Sequence, residues 1–462
     1  MKINLIYPRL ADSAQGLFAD SLLANLFKTF FGLGEMNFTP PLSLLMLAAA
    51  TPPDIEVRLV DERLEEINFN EKLDLIGISV VTRAAPRAYH IADEYRQRGV
   101  KVVLGGVHPS VLPQEASLHA DAVVIGEGER PWPQIITDYK QRCLKQIYHG
   151  GHGADLSELP RPRRDVIPCP EKYATPKVVT ASRGCPNSCA FCSAGVAVGK
   201  RYRTRNVREV VDELCSVPGR LAFFADDNLG WDIAYTKALL RALVPLNIMW
   251  LGELSLSALE DNELVELIAK SGCLALGVGF ESLSPKVITA IKKNQTNNPG
   301  RYPELIRRLH SYGIPIVGHF IIGFDDDDRS VFEELVEFIN ETCIEMPSIA
   351  TLIPYPGTTI FRQFEREGRL LHKDWAYYDT AAGYVVYQPK RLTPRELAEG
   401  YLMVTERVHA VTGVLGRLTG AKTLFSKSAL PVIHYNLQSR SSIRQDIQKM
   451  KRVPTKTGAS SQ

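Results

Sequence analysis

The sequence predicts an α/β chain in two parts, a Rossmann-like doubly wound parallel sheet followed by a partial (βα)6 barrel, with a small C-terminal, mostly helical region. Three observations predict it. Short apolar runs ending in polar or Gly-rich turns alternate with helical patterns, and they do so in two series. The runs are continuous rather than alternating, as in strands buried on both faces of a parallel sheet. A stretch rich in Gly, Pro and Arg separates the two series, and 462 residues exceed what one core holds.

In the first series KINLIYP (2–8), EVRLVD (56–61), LDLIGIS (73–79), VKVVLGG (100–106) and ADAVVIGEGE (120–129) read as strands. APRAYHIADEYRQRG (85–99) reads as a helix closed by Gly. LFADSLLANLFKTFF (17–31) reads as an amphipathic helix that packs on its own domain, or else meets lipid or an apolar substrate. This part is placed at 1–145, with a linker over 146–176 that includes LPRPRRDVIPCPEKYATP.

The second series, placed at 177–375, contains KVVTASRG, RLAFFADDN, IMWLGELS, LALGVGFES, IPIVGHFIIGF and SIATLIPYPGT, with helical segments between them. Barrel sites gather at the C-terminal ends of the strands. A helical region is expected over 376–435, and the polar, basic residues 436–462 are expected to fray.

Composition narrows the function classes. Apolar residues are 45% and charged residues 23%, and 54 basic against 52 acidic side chains leave a net charge of +2. That balance gives no electrostatic case for nucleic acid. No run approaches the ~20 apolar residues of a membrane span, and MKINLIYPRL lacks the build of a signal peptide. A cytoplasmic protein with reduced thiols is expected, so clustered cysteines point to metal or catalysis rather than to disulfides.

One such cluster exists. SRGCPNSCAFCSAG (182–195) holds Cys185, Cys189 and Cys192 in the spacing C-x3-C-x2-C. Three thiolates in one tight loop can take three irons of a 4Fe–4S cube and leave the fourth open for chemistry. Gly184 permits close backbone approach, and Phe191 is placed to shield the group. A zinc knuckle or core cysteines are the alternatives, and no nearby C-x2-C or H-x3-H completes a zinc site. Cys143, Cys169, Cys215, Cys273 and Cys343 are scattered and read as small buried apolar residues.

C-x3-C-x2-C with an aromatic residue before its last Cys, after the first strand of a (βα)6 series, resembles the radical S-adenosylmethionine (SAM) superfamily. FFADDN (223–228), GFES (279–282), GHFIIGF (318–324) and PYPGT (354–358) match its pattern in order. The resemblance implies a 4Fe–4S cluster on the three cysteines. It also implies SAM contacts from Phe191, Asp226, Asp227, Asn228, Glu281, Ser282, Gly318, Gly323 and Pro354. The implied reaction is reductive cleavage of SAM to a 5′-deoxyadenosyl radical, driven by a low-potential donor such as flavodoxin or ferredoxin. Glu253, which ends the third strand, is the candidate catalytic residue, serving SAM or substrate, or is simply a solvated strand end.

GISVVT (77–82), LGGVHPS (104–110) and VIGEGE (124–129) resemble the cobalamin-binding domain fused to one branch of that superfamily. The implied cobalamin contacts are Ser79, Thr82, Gly105, Gly106, His108, Gly126 and Gly128. D-x-H-x-x-G is missing, so no His of that motif is expected below the cobalt, and His108 reads as a loop residue. GFDDDDRSVFEELVEFI and DWAYYD…QPKRLTPRELAEGY extend the resemblance to the branch of the hopanoid methylases and the anaerobic bacteriochlorophyll cyclase and methylases. It covers roughly residues 1–415.

Three readings follow. The first is a cobalamin-dependent methyltransferase acting on an unactivated carbon of a large apolar, tetrapyrrole or lipid-like substrate, which leaves peripheral membrane contact open. The second keeps radical generation but performs a cyclisation, hydroxylation or other bond formation. The third, a non-enzymatic corrinoid or Fe–S carrier, would not need the SAM-contact motifs in order. Tyr355, Trp375, Tyr377 and Tyr378 either line an apolar pocket or pack the C-terminal segment.

Overall fold

The structure is a computed structural model, and it describes residues 1–10 and 39–450 except 152, 154, 381, 424, 425 and 427. The amphipathic stretch 17–31 and the end of the expected tail, 451–462, lie outside the described residues. Every strand expected in the first series forms: β1 (Lys2–Tyr7), β2 (Glu56–Asp61), β3 (Leu75–Ser79), β4 (Lys101–Gly105) and β5 (Ala122–Gly126). They pair in parallel in the order β2-β1-β3-β4-β5-β6. β6 (Ile147–Gly151) was not expected. Its sequence IYHGG lacks an apolar run, because an edge strand is covered on fewer sides.

The sheet is buried on both faces, as its continuous apolar runs require. Leu5, Leu75, Val103 and Trp132 pack on one side, and Ile78, Tyr95, Val102 and Leu104 on the other. The helix Ala85–Gln97 ends two residues before Gly99, whose φ of 80° lets the chain turn back into β4.

The expected linker is a packed strap rather than a free one. After β6 it makes three short 3-10 turns, and Ile167 and Tyr173 enter the core of the first sheet. The Tyr173 hydroxyl donates to Asp61 at 2.7 Å.

The second sheet is parallel throughout, in the order β14-β13-β12-β11-β10-β7. Its strands are β7 (Val178–Val179), β10 (Leu221–Phe224), β11 (Met249–Leu254), β12 (Cys273–Glu281), β13 (Ile316–Ile322) and β14 (Met346–Thr351). A short antiparallel ribbon, β8 (Ser182–Arg183) with β9 (Arg203–Thr204), closes the base of the cysteine loop. Side chains alternate across each strand. On β13, Gly318, Phe320 and Ile322 are buried, whereas Val317, His319 and Ile321 face the partly open interior.

Two C-terminal helices close one end of that interior. Leu418 of Val411–Gly420 and Val432 of Ala429–Met450 pack with Ala275 and Met346, flanked by Leu251 and Val317. The expected fraying from residue 436 is corrected up to Met450, since the helix runs that far. Buried Asn436 fastens it by donating to the Glu345 carbonyl at 2.9 Å. A third helix, Pro394–Val408, begins with a capping box in which Thr393 and Glu396 satisfy each other's backbone.

The expectation for the scattered cysteines is also corrected. Only Cys273 is buried; Cys143, Cys169 and Cys215 are exposed and Cys343 is intermediate. Their segments put them at helix ends and turns, where an apolar neighbourhood is not available.

Leu418→Ala should lower stability by ~2–5 kcal/mol, because a fully buried leucine at the barrel floor leaves a cavity. A thermal melt with an unchanged midpoint would refute the closing role of these helices.

Candidate active site

The cysteine loop leaves β7 where Asp226 holds the chain. Its carboxylate accepts the N–H of Ala181 at 3.0 Å, and the N–H and hydroxyl of Ser182, each at 2.5 Å. Asp227, on the next residue, accepts the Gly184 N–H at 3.2 Å. Asn228 accepts from the Ser255 N–H at 3.2 Å. The ADDN turn therefore braces backbone. Asp226 and Asn228 are buried and committed to protein partners, while Asp227 remains exposed.

Gly184 is required at the start of the loop. Its φ is 88°, and a Cβ there would overlap the Arg201 carbonyl across the ribbon. Between the second and third cysteines, Ala190 is clamped on both sides. Its N–H donates to Ile291 at 2.9 Å, and its carbonyl accepts from Ile360 at 3.0 Å. Phe191 meets the ring of Phe324 edge-on, with centroids 6.3 Å apart.

All three thiols are free of disulfides. They are near enough to interact electrostatically. Among the described residues no group of three or more His, Cys, Asp or Glu gathers to hold a single metal ion. Burial pushes the Cys189 thiol up, and Lys293 opposes this. A thiolate here is favoured when a metal takes the place of its proton.

Lys293 is the site residue that motif reading missed. It pairs with Glu281 and also donates to the Gly279 carbonyl at 3.1 Å. Burial alone would lower the Lys293 pKa, but Glu281 and the thiols raise it, so the ammonium persists. Glu281 sits at a φ of 63°, uncommon for a residue with a side chain. Gly279 makes room for the pair, since a Cβ there would lie 2.5 Å from the Glu281 carboxylate and 2.8 Å from Lys293 Nζ. Its only sequence signal was the GFE spacing.

Other expected residues separate. The Ser282 hydroxyl accepts the Ser284 N–H at 3.1 Å and is spent on its own turn. Gly318 and Gly323 do not reach the interior. A Cβ on Gly318 would press on Ile344, and one on Gly323 on Tyr387 and Leu397. His319 and Ile321 occupy the interior positions of that strand. Pro354 is buried just beyond β14. Glu253 does face the interior, with its carboxylate 3.7 Å from His319 Nε2 and Gly277 leaving space between them.

The strand ends of the first sheet meet this loop. Ser79 and Gly105 are half-buried at adjacent strand ends, and Thr82 is buried. Gly106, with φ 102°, passes so close to Val80 that a Cβ would lie 2.7 Å from its carbonyl oxygen. Gly126, with φ 86°, donates its N–H to Ser110 at 2.9 Å, and Gly128 abuts Leu47. These glycines let neighbouring backbone segments pack closely at the strand ends, the edge at which open parallel sheets bind ligands.

His108 is corrected from loop to buried helix. It lies in the single turn Val107–Val111 and is fully buried, with Nε2 3.1 Å from the Tyr89 hydroxyl and 3.2 Å from Glu115. Trp375 donates to the same Glu115 oxygen at 2.9 Å. Trp375 and Tyr378 are thus core residues against the first sheet, with Tyr355 and Tyr377 packed beside them, as the packing alternative expected.

A family model for the radical SAM superfamily matches residues 179–339, and one for the B12 binding domain matches 37–136. The bacteriochlorophyllide d C-12(1)-methyltransferase of Chlorobaculum tepidum is 32% identical over 82% of this chain and 85% of its own. The hopanoid C-2 methylase of Rhodopseudomonas palustris is 27% identical over 73% of this chain and 66% of its own. Among solved structures, the radical SAM methyltransferase TsrM from Kitasatospora setae, with cobalamin and a [4Fe-4S] cluster bound, shares the fold. Its TM-score is 0.63 at 15% identity, covering 98% of this chain and all of that one.

Burial pushes the Asp226 carboxyl up to about 7, against the hydrogen bonds that favour its anion. A carboxyl raised by folding contributes stability that is complete below its ordinary pKa of about 4 and is lost as pH rises through the folded value. The melting temperature should therefore fall between about pH 4 and pH 7. Asp226→Asn should flatten that fall, and an equal slope in the variant would contradict the assignment.

Proposed function

The chain belongs to the radical SAM superfamily, in the branch that carries a B12-binding domain ahead of the barrel, and from that premise we propose a cobalamin-dependent methyltransferase acting on a carbon of a large apolar substrate. The observation that carries this reading is the junction of the two strand-end regions. The turn after β5 is ion-paired with Arg183, two residues before the first cysteine. The helix Val107–Val111 packs against Ala194–Ala197, directly after the last cysteine. A ligand on the first sheet's rim and one on the cysteine loop would face each other.

When bound, the 4Fe–4S cluster and SAM supply a 5′-deoxyadenosyl radical for hydrogen abstraction, and cobalamin supplies the methyl group, renewed from a second SAM. The protein's part is positional. Cys185, Cys189 and Cys192 would hold the cluster. Lys293 would neutralise thiolates and, with Glu281, would bind the polar end of SAM. Phe191 and Phe324 would keep water from one side. Ser79, Gly105, Gly106 and Gly126 would line the strand ends that receive the corrin. Asp227, Glu253 and His319 remain exposed enough to meet SAM or substrate polar groups.

The relatives' names point to tetrapyrrole or hopanoid-like substrates. A low-potential donor of the flavodoxin or ferredoxin kind would reduce the cluster, which places the enzyme in the cytoplasm. Among the described residues no helix is long and apolar enough to cross a membrane.

Anaerobic turnover with bacteriochlorophyllide as probe should give S-adenosylhomocysteine, 5′-deoxyadenosine and a methylated pigment. 5′-Deoxyadenosine together with an unmethylated, altered pigment would favour the bond-forming alternative instead.

Changing any of Cys185, Cys189 or Cys192 to Ala should abolish 5′-deoxyadenosine formation and the brown cluster absorbance; retention of both in any variant would refute the cluster assignment. Lys293→Met should raise the KM for SAM by ~10-fold, the effect of losing one charge-assisted contact of about 1.4 kcal/mol. An unchanged KM would remove Lys293 from SAM binding.

A further inference from the structure

At the junction of the two sheets lies a compact group of four charges, none of which is assigned a cofactor contact above. Arg203 places Nη1 2.8 Å from one oxygen of Glu127 and Nη2 2.9 Å from the other, a two-point contact. Arg183 approaches Glu127 at 3.2 Å and Glu129 at 2.7 Å. Glu127, Glu129 and Arg203 are at most 8% exposed, and the Arg183 side chain is 12% exposed. Two acids and two bases make the group neutral.

Glu127, Arg183 and Arg203 are anchored in main chain as well. The Glu127 N–H donates to Gly151 at 3.1 Å, and a Cβ on Gly150 would collide with the Glu127 carbonyl, so β6 grips that turn closely. Arg183 and Arg203 are cross-strand partners in the ribbon that closes the cysteine loop, and Arg203 also donates to Val198 within the loop at 3.1 Å. An unbroken path thus runs from the Gly106 rim through Ser110 and Gly126 to Glu127, Arg183, Gly184 and Cys185.

Buried ion pairs contribute little net stability compared with apolar packing, yet tolerate little displacement. A two-point guanidinium contact also fixes direction as well as distance. Such a group is better suited to holding register between two sheets than to stabilising either one.

We propose that the Arg183–Glu127–Arg203–Glu129 network is a rigid joint that sets the spacing between the corrin and the cluster, so that one SAM seat serves both methyl transfer and radical formation. The inference rests on the cobalamin reading above. These four are positioning residues. They govern two fates of SAM that differ in geometry. Its methyl leaves as a cation equivalent to two-electron-reduced cobalamin, giving S-adenosylhomocysteine, and this needs the corrin at the right distance. One-electron reductive cleavage of the C5′–S bond gives methionine and, after the 5′ radical takes a hydrogen atom from substrate or solvent, 5′-deoxyadenosine, and this needs only the cluster.

The test uses the full chain loaded with cobalamin and cluster, SAM as ligand, and titanium(III) citrate as reductant. Glu127→Gln and Arg203→Lys should cut S-adenosylhomocysteine formation about tenfold or more while 5′-deoxyadenosine stays within about twofold. The cluster-to-cobalt distance distribution from pulsed electron paramagnetic resonance should broaden in both variants. Glu345→Gln, which removes a buried carboxylate at the barrel floor, should leave the product ratio and the distribution unchanged. Should Glu127→Gln fail to fold, Arg203→Lys and Arg183→Lys, which keep the charge, carry the test. A wild-type ratio and a wild-type distribution in the soluble variants would overturn the joint. If the wild-type chain takes up no corrin, the cobalamin reading fails first and the joint falls with it.

Discussion

The Asp226 carboxylate fixes the point at which the barrel wall stops and the cysteine loop starts, by accepting two backbone hydrogens and one hydroxyl hydrogen from Ala181 and Ser182. Everything on the cluster side of the molecule is placed from that point. With Ser182 held, the next residue, Arg183, projects toward the first sheet, and Gly184 can turn tightly enough to present Cys185. Withdrawing a carboxylate from water is costly, and the three donors offset only part of that cost, since burial still pushes this carboxyl up to about 7.

The other strand-end acids follow one pattern. Glu281 is engaged by Lys293, and Glu127 by two guanidiniums. Burial raises the pKa of such acids, but the guanidiniums hold Glu127 below its ordinary value. Glu127 therefore acts as a fixed charge rather than as a proton carrier.

How much of this was legible in the sequence depended on the range of the interactions involved. Buried parallel strands advertise themselves as apolar runs, so β1–β5 and the barrel strands were readable, whereas IYHGG of β6 was not. The cysteine triad was readable because its members are contiguous. Lys293 was not, because it reaches Glu281 only after the intervening helix Pro285–Ala290 folds back. H-P-S reads as a loop, yet the turn Val107–Val111 buries His108 beneath Trp375, from a segment more than 250 residues away in the chain. The glycines of GHFIIGF were visible, but strand parity, which only the register fixes, turns Gly318 outward and leaves His319 inside, while Gly323 lies past the strand end at a φ of 102°, against Tyr387 and Leu397.

The closed floor of the barrel has a kinetic side. With Leu418 and Val432 sealing one end of the interior, traffic is confined to the rim shared with the first sheet. Two molecules stacked along such a blind well cannot exchange independently: the deeper one arrives first and departs last.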